Sequence, residues 1–172
     1  SALTNVTLNE GLRDIDMNAF DGCTNLADIS LPDSVIFVGK DALKGTAFYN
    51  AQSSNDMVIC GTIVVGNNKE AYGKDDPCVI PSGITSIGDN VFQGIEINEL
   101  EFPYSLRYIG DYAFSGESYV SSDKKMTEIN FKNVEYIGNH AFQYCDYITD
   151  LDLYAVKHIG DYGFYWCEIL KT

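Results

Sequence analysis

Two hydrophobic patterns follow one another along the chain and return together as a pair. The first is Leu-x-x-Ile-x-Leu, whose last two apolar positions alternate with polar residues. That alternation is the period of two of a strand with one buried face. The copies are Leu3/Val6/Leu8, Leu26/Ile29/Leu31, Ile97/Leu100/Phe102, Met126/Ile129/Phe131 and Ile148/Leu151/Leu153. We expect each copy to pair with its counterpart one coil away, which gives a parallel sheet.

The second pattern, here called the Ile-Gly motif, is six residues long. It consists of an aliphatic residue, a second residue that is usually Gly, two polar residues, a small residue and a large apolar residue. Its copies are Ile15 to Phe20, Val38 to Leu43, Ile87 to Phe92, Ile109 to Phe114, Ile137 to Phe142 and Ile159 to Phe164. Where nothing is inserted, the period is 22 or 23 residues. Such a period is typical of a solenoid, in which one repeat cannot bury its apolar face without neighbours.

The segments between the two patterns predict the rest of a coil. A turn follows each strand and carries Pro32, Pro81 or Pro103 in three copies, where a missing N–H is tolerated. The Ile-Gly motif is expected to form a short helical turn whose Ala-Phe pair plugs the coil. Its glycine recurs at Gly39, Gly88, Gly110, Gly138 and Gly160, which indicates a positive φ or a close approach to the next coil.

These patterns predict the fold class. It is an α/β repeat protein, mostly strand and loop, that forms a right-handed solenoid of about six coils. One parallel sheet is expected from the Leu-x-x-Ile-x-Leu strands, with a second row of short strands and the helical turns beside it. Residues 1–172 are expected to form one domain, with no internal boundary and no capping sequence at either end, as in a segment of a longer array.

Two insertions interrupt the period. Residues 49–77 hold a polar stretch and then an apolar run broken at Gly61, which predicts a β-hairpin leaning off the solenoid. Residues 117–125 are expected to form a polar loop. The third coil reads Asp75-Asp76-Pro77-Cys78-Val79-Ile80, with Asp75 at the first apolar position, so its strand should be shorter.

Charge and cysteine content narrow the classes of function. The net charge of -14 repels phosphate backbones and anionic lipid headgroups, so nucleic acid and membrane surfaces are not expected as partners. No run of about 18 apolar residues exists, so membrane insertion by this segment is not expected either. Five cysteines do not make a disulfide scaffold at this length. Cys145 and Cys167 share a packing position and are expected to be thiols, whereas Cys60 and Cys78 could pair in a secreted protein.

Outward positions of the Leu-x-x-Ile-x-Leu strands stack into an acidic column. Its members are Asp28, Glu99, Glu101, Glu128, Asp150 and Asp152. Like charges opposite one another across a sheet are destabilising, so something should offset their cost. Three interpretations remain open: solvated charges that discourage aggregation, a binding face for a basic protein, or weak Ca²⁺ sites. No Asp-rich loop with calcium-binding spacing is present, so no metal or cofactor is assigned.

A second column stands just before the glycine of each Ile-Gly motif and is rich in tyrosine. Tyr108 and Tyr136 belong to it and Tyr154 flanks it. Tyrosines on a rigid scaffold supply contact area at low entropic cost, and sugars also stack on aromatic faces. These rings therefore bind a protein partner, bind carbohydrate, or simply pack on one another. His140 and His158 are not expected to share a site.

No catalytic motif is present. The chain lacks Gly-x-Ser-x-Gly, a Walker loop and His-Glu-x-x-His. Carboxylate pairs on an open sheet face cannot be desolvated to raise the pKa of an acid, so glycosidase chemistry is not expected. The chain is interpreted as non-catalytic.

The repeated phrases LPDSVIFVGKDAL, IPSGITSIGDNVFQG, FPYSLRYIGDYAFSG and VKHIGDYGFYWC resemble the BspA-like leucine-rich repeat family. The resemblance implies a leucine-rich-repeat solenoid of a cell-surface or secreted, extracellular protein. It also implies adhesion to host proteins or neighbouring cells as the function, with no catalytic residue to carry over. A carbohydrate-binding module that uses the tyrosine column and a purely structural spacer are the alternatives.

Overall fold

The computed structural model describes residues 2–73, 75–116, 129–145, 148 and 151–167. It is a mostly β solenoid with parallel strand pairing between coils. The described elements are β1 Asn5–Thr7, β2 Asp14–Ile15, β3 Asp28–Ser30, β4 Phe37–Val38, α1 Ala47–Asn50, β5 Met57–Cys60, β6 Ile63–Asn67, β7 Ala71–Tyr72, β8 Cys78–Val79, β9 Ser86–Ile87, β10 Glu96–Ile97, β11 Leu100–Glu101, β12 Tyr108–Ile109, β13 Tyr136–Ile137 and β14 His158–Ile159.

The most extended described sheet is built from the Ile-Gly motifs. Its order is β14-β13-β12-β9-β6-β5. The Leu-x-x-Ile-x-Leu strands were expected to form the main sheet, but where they are described they pair only two at a time, as β1 with β3 and β8 with β11. The copies at 126–131 and 148–153 lie partly outside the described residues. The third coil explains part of this difference. Pro77 has no N–H, and only Cys78–Val79 follows it as a strand, as short as its sequence predicts.

The hairpin predicted within residues 49–77 is present, but it does not lean off the solenoid. Strands β5 and β6 pair antiparallel, and β6 pairs in parallel with β9 through Ile63 and Ser86. Val58 and Val64 are fully buried. Burial of such β-branched side chains stabilises the hairpin inside the sheet far more than exposure at its edge would, at about 25 cal/mol per Å² of apolar surface.

The core is divided where the hairpin enters. One cluster of buried side chains includes Met57 and Val64 and continues through the later coils. The other includes Cys60 and Ile63 and continues through the first two coils. The hairpin therefore contributes side chains to both clusters and joins them.

The Ala-Phe plug of the Ile-Gly motif is confirmed. The rings of successive coils stack nearly parallel, with centroid separations of 5.0 Å for Phe92–Phe114, 5.2 Å for Phe114–Phe142 and 5.3 Å for Phe142–Phe164. These separations match the spacing between hydrogen-bonded strands, about 4.8 Å. One coil thus adds one ring to a continuous stack.

The turns of the Ile-Gly motif differ from the expected helical turns. The fourth residue of each motif has a positive φ, from 54° to 59° across Asn18, Asp41, Asn90, Tyr112, His140 and Tyr162. A left-handed residue stops helical propagation, so these segments are turns. The recurring glycine has the expected close approach: a Cβ on Gly138 would lie 2.6 Å from the carbonyl carbon of Gly110.

All five cysteines are thiols in the structure. The thiols of Cys145 and Cys167 donate to the carbonyl oxygens of Phe114 and Phe142, each at 3.2 Å, in the shared position that the sequence predicts. Burial raises the pKa of Cys60 to about 11 and that of Cys78 to about 12. Both groups are therefore neutral and unreactive at physiological pH.

Candidate functional site

The acidic column is only partly assembled among the described residues. Asp28, Glu99, Glu101 and Asp152 are exposed. Glu101 on β11 lies opposite Val79 and not opposite another carboxylate. Glu128 and Asp150 lie outside the described residues, so continuity of the column from the fourth to the sixth coil stays a prediction.

Asp28 belongs to a different strand pair from Glu101. It lies on β3, opposite Asn5 of β1. The end of the hairpin contacts the same strand, since the Cys60 thiol donates to the carbonyl of Ile29 at 3.8 Å. Because β3 pairs with β1 and β8 with β11, Asp28 and Glu101 do not form neighbouring positions of one sheet.

The tyrosine column exists, and its members pack on one another. Tyr108 and Tyr136 are opposite each other on β12 and β13. The ring of Phe37 meets Tyr136 edge-on at 4.9 Å and Tyr108 at 6.0 Å, and Tyr136 stacks on His158 at 4.6 Å. The two tyrosines are therefore half-buried, and burial raises the pKa of Tyr136. Tyr154 stands apart from this packing with 93% of its surface exposed.

A second aromatic stack was missed by the sequence analysis. His140 lies between Tyr112 and Tyr162, with ring centroids 4.5 Å and 4.9 Å away and the rings nearly parallel. Each of the three residues is the fourth residue of its Ile-Gly motif and has a positive φ. The first three coils carry Asn or Asp at this position, the residues that tolerate a left-handed backbone best after glycine.

A second left-handed position lies two residues beyond the motif, and its occupant likewise changes from a small residue to an aromatic one. In earlier coils it is occupied by Gly22, Gly45 and Gly94. In the last two coils it is occupied by Tyr144 and Trp166, with φ of 60° and 57°. A bulky residue in this conformation costs roughly 1–2 kcal/mol relative to glycine.

These substitutions contribute to an aromatic surface, here called the aromatic platform and defined as Tyr144, Tyr162, Tyr165 and Trp166. Tyr144 is half-buried and the other three are exposed. Tyr165 contacts Tyr162 edge-on at 5.2 Å, and Trp166 contacts Tyr144 at 6.1 Å. Tyr162 is 59% exposed and Trp166 is 53% exposed. The sequence signal was available, because Phe-x-Gly in Phe20-Asp21-Gly22 becomes Phe-x-aromatic in the last two coils.

Polar side chains of the Ile-Gly motifs also join adjacent turns. At the third position of successive Ile-Gly motifs, each side chain accepts the backbone N–H of its counterpart: Asp89 from Asp111 at 2.8 Å, Asp111 from Asn139 at 2.7 Å and Asn139 from Asp161 at 2.8 Å. Burial raises the pKa of Asp89 to about 6, against the N–H of Asp111, which lowers it. This polar ladder holds the coils together and has the geometry of a structural element.

The described residues contain no cluster of His, Cys, Asp or Glu with the arrangement of a metal site. In the same part of the chain, no helix has the length and hydropathy needed to cross a bilayer. The arrangement offers exposed rings and separate carboxylates, which suit binding through contact.

The chain resembles known leucine-rich repeat proteins. A leucine-rich repeat protein from Bacteroides ovatus, solved by crystallography, aligns with a TM-score of 0.32 and 18% identity. The alignment covers 98% of this chain and 54% of that one, so the chain spans about half the length of that protein. No curated protein matches the chain significantly. The sequence profile of the BspA type leucine rich repeat region matches in 6 copies, over residues 1–69 and 74–172. The chain therefore belongs to the BspA-type leucine-rich repeat family.

Proposed function

We propose that the chain is a non-catalytic protein-binding module that mediates adhesion of a cell-surface or secreted protein. Its repeat family is one of protein-interaction modules. The observation that carries the proposal is the aromatic platform, where Tyr144 and Trp166 occupy left-handed positions that glycine fills in earlier coils. Backbone strain of this kind is concentrated at functional sites.

Ring packing can account for the backbone cost of the aromatic platform, but not for its exposure. A pair of aromatic rings contributes about 0.5–1.5 kcal/mol beyond its buried area, which can offset the backbone cost. Trp166 nevertheless keeps 53% of its surface in solvent. Exposed Trp and Tyr are the residues most enriched in the energetically dominant parts of protein interfaces.

The partner we propose is a basic protein. The chain carries a net charge of -14, with Glu99, Glu101 and Asp152 exposed. The faces of Tyr and Trp rings attract Lys and Arg side chains, by about 0.5–1 kcal/mol at exposed sites. Carboxylates and rings therefore both favour Lys and Arg side chains. An extracellular protein or the surface of a neighbouring cell would present such side chains.

Two alternatives remain outcomes of the test. A carbohydrate ligand would stack on the tyrosine column, but the rings of Tyr108 and Tyr136 contact Phe37, and Tyr136 also contacts His158. Tyr154 remains available for such stacking. A structural spacer would need no ligand at all.

The experiment is a binding screen of the whole chain against immobilised extracellular-matrix proteins and a glycan array. We expect binding to basic proteins that falls at least tenfold between low salt and about 0.5 M NaCl, where screening acts within about 4 Å. The variant Tyr162→Ala/Trp166→Ala should lose this binding, and Glu99→Gln/Glu101→Gln should weaken it.

The matched control is Tyr104→Ala, which removes a tyrosine that is 77% exposed and lies outside the aromatic platform. Its binding should equal that of the parent chain. Salt-independent binding to glycans that Tyr154→Ala abolishes would replace the proposal with carbohydrate recognition. Absence of binding to both panels would favour the spacer.

A further inference from the structure

Successive coils are joined by a regular ladder of backbone hydrogen bonds along the Ile-Gly motifs. The fourth and sixth residues of one motif donate their N–H groups to the third and fifth carbonyls of the next. The pairs are Asn18–Lys40 (3.1 Å), Phe20–Ala42 (3.0 Å), Asn90–Asp111 (2.9 Å), Phe92–Ala113 (2.8 Å), Tyr112–Asn139 (2.9 Å), Phe114–Ala141 (2.8 Å), His140–Asp161 (2.8 Å) and Phe142–Gly163 (2.8 Å).

This ladder is missing between the second and third coils. There the donors would be the N–H groups of Asp41 and Leu43, and the acceptors would be the carbonyls of Asp89 and Val91. Within the described part of the chain, these four groups form no backbone hydrogen bond. The two coils contact each other instead through the N–H of Asp89, which donates to the carbonyl of Val38 at 2.8 Å. The hydroxyl of Ser86 also donates to the carbonyl of Ile36, at 2.6 Å.

The directions of the unused groups follow from the regular coils on either side. Asp41 has a φ of 56°, as Asn18 has, so its turn directs its N–H groups toward the next coil as the first coil does. The third coil continues the regular ladder on its far side, where Asn90 donates to Asp111. Its near-side carbonyls therefore point back toward the second coil.

A polar cleft of about 250 Å³ lies at this gap. The second coil contributes Lys40 and Asp41 to its lining, and the third coil contributes Asp89 and Gln93. Gly66 of β6 forms a wall, because the inserted hairpin separates the two coils. Such a volume would hold about eight water molecules, or a short stretch of polypeptide.

We propose that this cleft binds an extended segment of a partner polypeptide, whose backbone takes the place of the missing rung. Asp41 lines the cleft on the donor side, and Asp89 and Val91 line it on the acceptor side, spaced by two residues. This is the period with which an extended chain presents its N–H groups to one side. A strand added to unpaired backbone in this way gains affinity from main-chain hydrogen bonds.

The charged side chains around the cleft nearly cancel one another, so the backbone groups are the main determinants of recognition. Lys44 pairs with Asp41 at 3.2 Å, and Lys40 and Asp89 carry opposite charges, so the lining is close to neutral. The occupant is therefore an uncharged or weakly charged segment. This site adds a second contact to the protein-binding function proposed above, and it rests on that proposal only because its ligand is a polypeptide.

The test uses the whole ¹⁵N-labelled chain and the capped peptide acetyl-Thr-Val-Thr-Val-amide as the probe. We expect the amide resonance of Asp41, which lines the cleft, to shift on titration and its hydrogen exchange to slow. The same peptide with every backbone nitrogen methylated lacks the donors and should bind at least about tenfold more weakly.

A matched pair of variants locates the site. Gln93→Trp places a ring over the cleft and should abolish these shifts, whereas Gln143→Trp changes the equivalent position of the fifth coil and should preserve them. Equal binding of the two peptides, shifts confined to other residues, or no shifts at all would overturn the proposal. The probe carries no charge and the variants leave the aromatic platform unchanged. Failure of this proposal is therefore distinguishable from failure of the basic-partner proposal, which the binding screen tests.

Discussion

At the scale of single residues, the left-handed turn positions and the half-buried carboxylate of Asp89 show which features the repeat requires and which it leaves free to vary. The positive φ at the fourth motif residue recurs in every coil, yet its occupant changes from Asn or Asp to Tyr or His. Repetition therefore sets the backbone and leaves the side chain variable. Asp89 shows the converse, since its carboxylate performs the same hydrogen bonding that the neutral Asn139 performs two coils later.

Asp89 should make stability depend on pH. Burial raises its pKa from 3.8 to about 6, so the folded chain binds this proton more tightly than the unfolded chain does. The resulting stabilisation is complete below pH 4 and is lost as pH rises through 6. Asp89→Asn keeps the acceptor for Asp111 and should raise the free energy of unfolding at pH 7 by on the order of 1 kcal/mol, after allowance for solvent screening.

Urea denaturation at pH 4 and pH 7 measures the effect. The control Asp161→Asn alters an exposed carboxylate at the same position of the last coil and should leave the pH dependence of the parent in place. A less stable Asp89→Asn chain at pH 7 would show that the charge itself is needed.

Substitution of Trp166 should abolish binding to basic proteins with little effect on stability. Trp166→Gly relieves a left-handed backbone and removes ring contacts with Tyr144 and Tyr165, so the two effects oppose each other. We expect thermal unfolding close to that of the parent, with a change under about 1 kcal/mol, and loss of binding to basic proteins. Gly22→Ala is the reverse control: a Cβ there would meet no atom within 4 Å, but the backbone has a φ of 70°, so the change should cost about 1 kcal/mol.

At the scale of elements, close contact between coils decides which substitutions the turns tolerate. The Phe stack and the polar ladder repeat at every coil from the third onward, and the recurring glycines let the backbones approach. The inserted hairpin interrupts this regularity. Its strand β6 occupies a position in the sheet beside β9, and a cleft lies between the turns of the second and third coils.

Gly138→Ala should destabilise the solenoid without any change in backbone preference. Its Cβ would lie 2.6 Å from the Gly110 carbonyl carbon, which is backbone and cannot rotate away. We expect a loss of about 1–3 kcal/mol in the free energy of unfolding, measured by chemical denaturation. Gly73→Ala, which meets no atom within 4 Å, should be close to neutral. Similar losses at both glycines would contradict the close-approach explanation.

At the scale of the whole molecule, the acidic charge is spread over a solenoid that has little basic charge to balance it. With 25 Asp and Glu against 11 Lys and Arg, the folded chain repels itself. The same field attracts a basic partner. Stability and binding should therefore respond to ionic strength in opposite directions.

Added salt should raise the melting temperature while it weakens binding. Screening shortens the Debye length from about 10 Å at 0.1 M to about 3 Å at 1 M, which reduces self-repulsion and attraction to cations alike. Calorimetry and binding measured over one NaCl series check both trends. A melting temperature that falls with salt would indicate that specific ion pairs, such as Lys157 with Glu135, outweigh the repulsion.

The sequence by itself determined the repeat, the family and the inward positions. These follow from side-chain periodicity within a single coil, which is a local property: the stacked rings from Phe92 to Phe164 are the apolar ends of the Ile-Gly motif. The outward columns were harder to predict. Of the candidate binding residues, Tyr108 and Tyr136 are partly covered by Phe37, a contact that no spacing along the chain reveals.

Only the tertiary structure decided where the strands pair and which surfaces remain open. Ile63 pairs with Ser86 because the hairpin buries its valines inside the sheet, and this one pairing breaks the ladder between the second and third coils. The left-handed turn positions likewise become visible only when coils are stacked, because φ is set by the hydrogen bonds that each turn makes to the next. Repetition along the chain specifies the scaffold, and contacts between coils determine its binding surfaces.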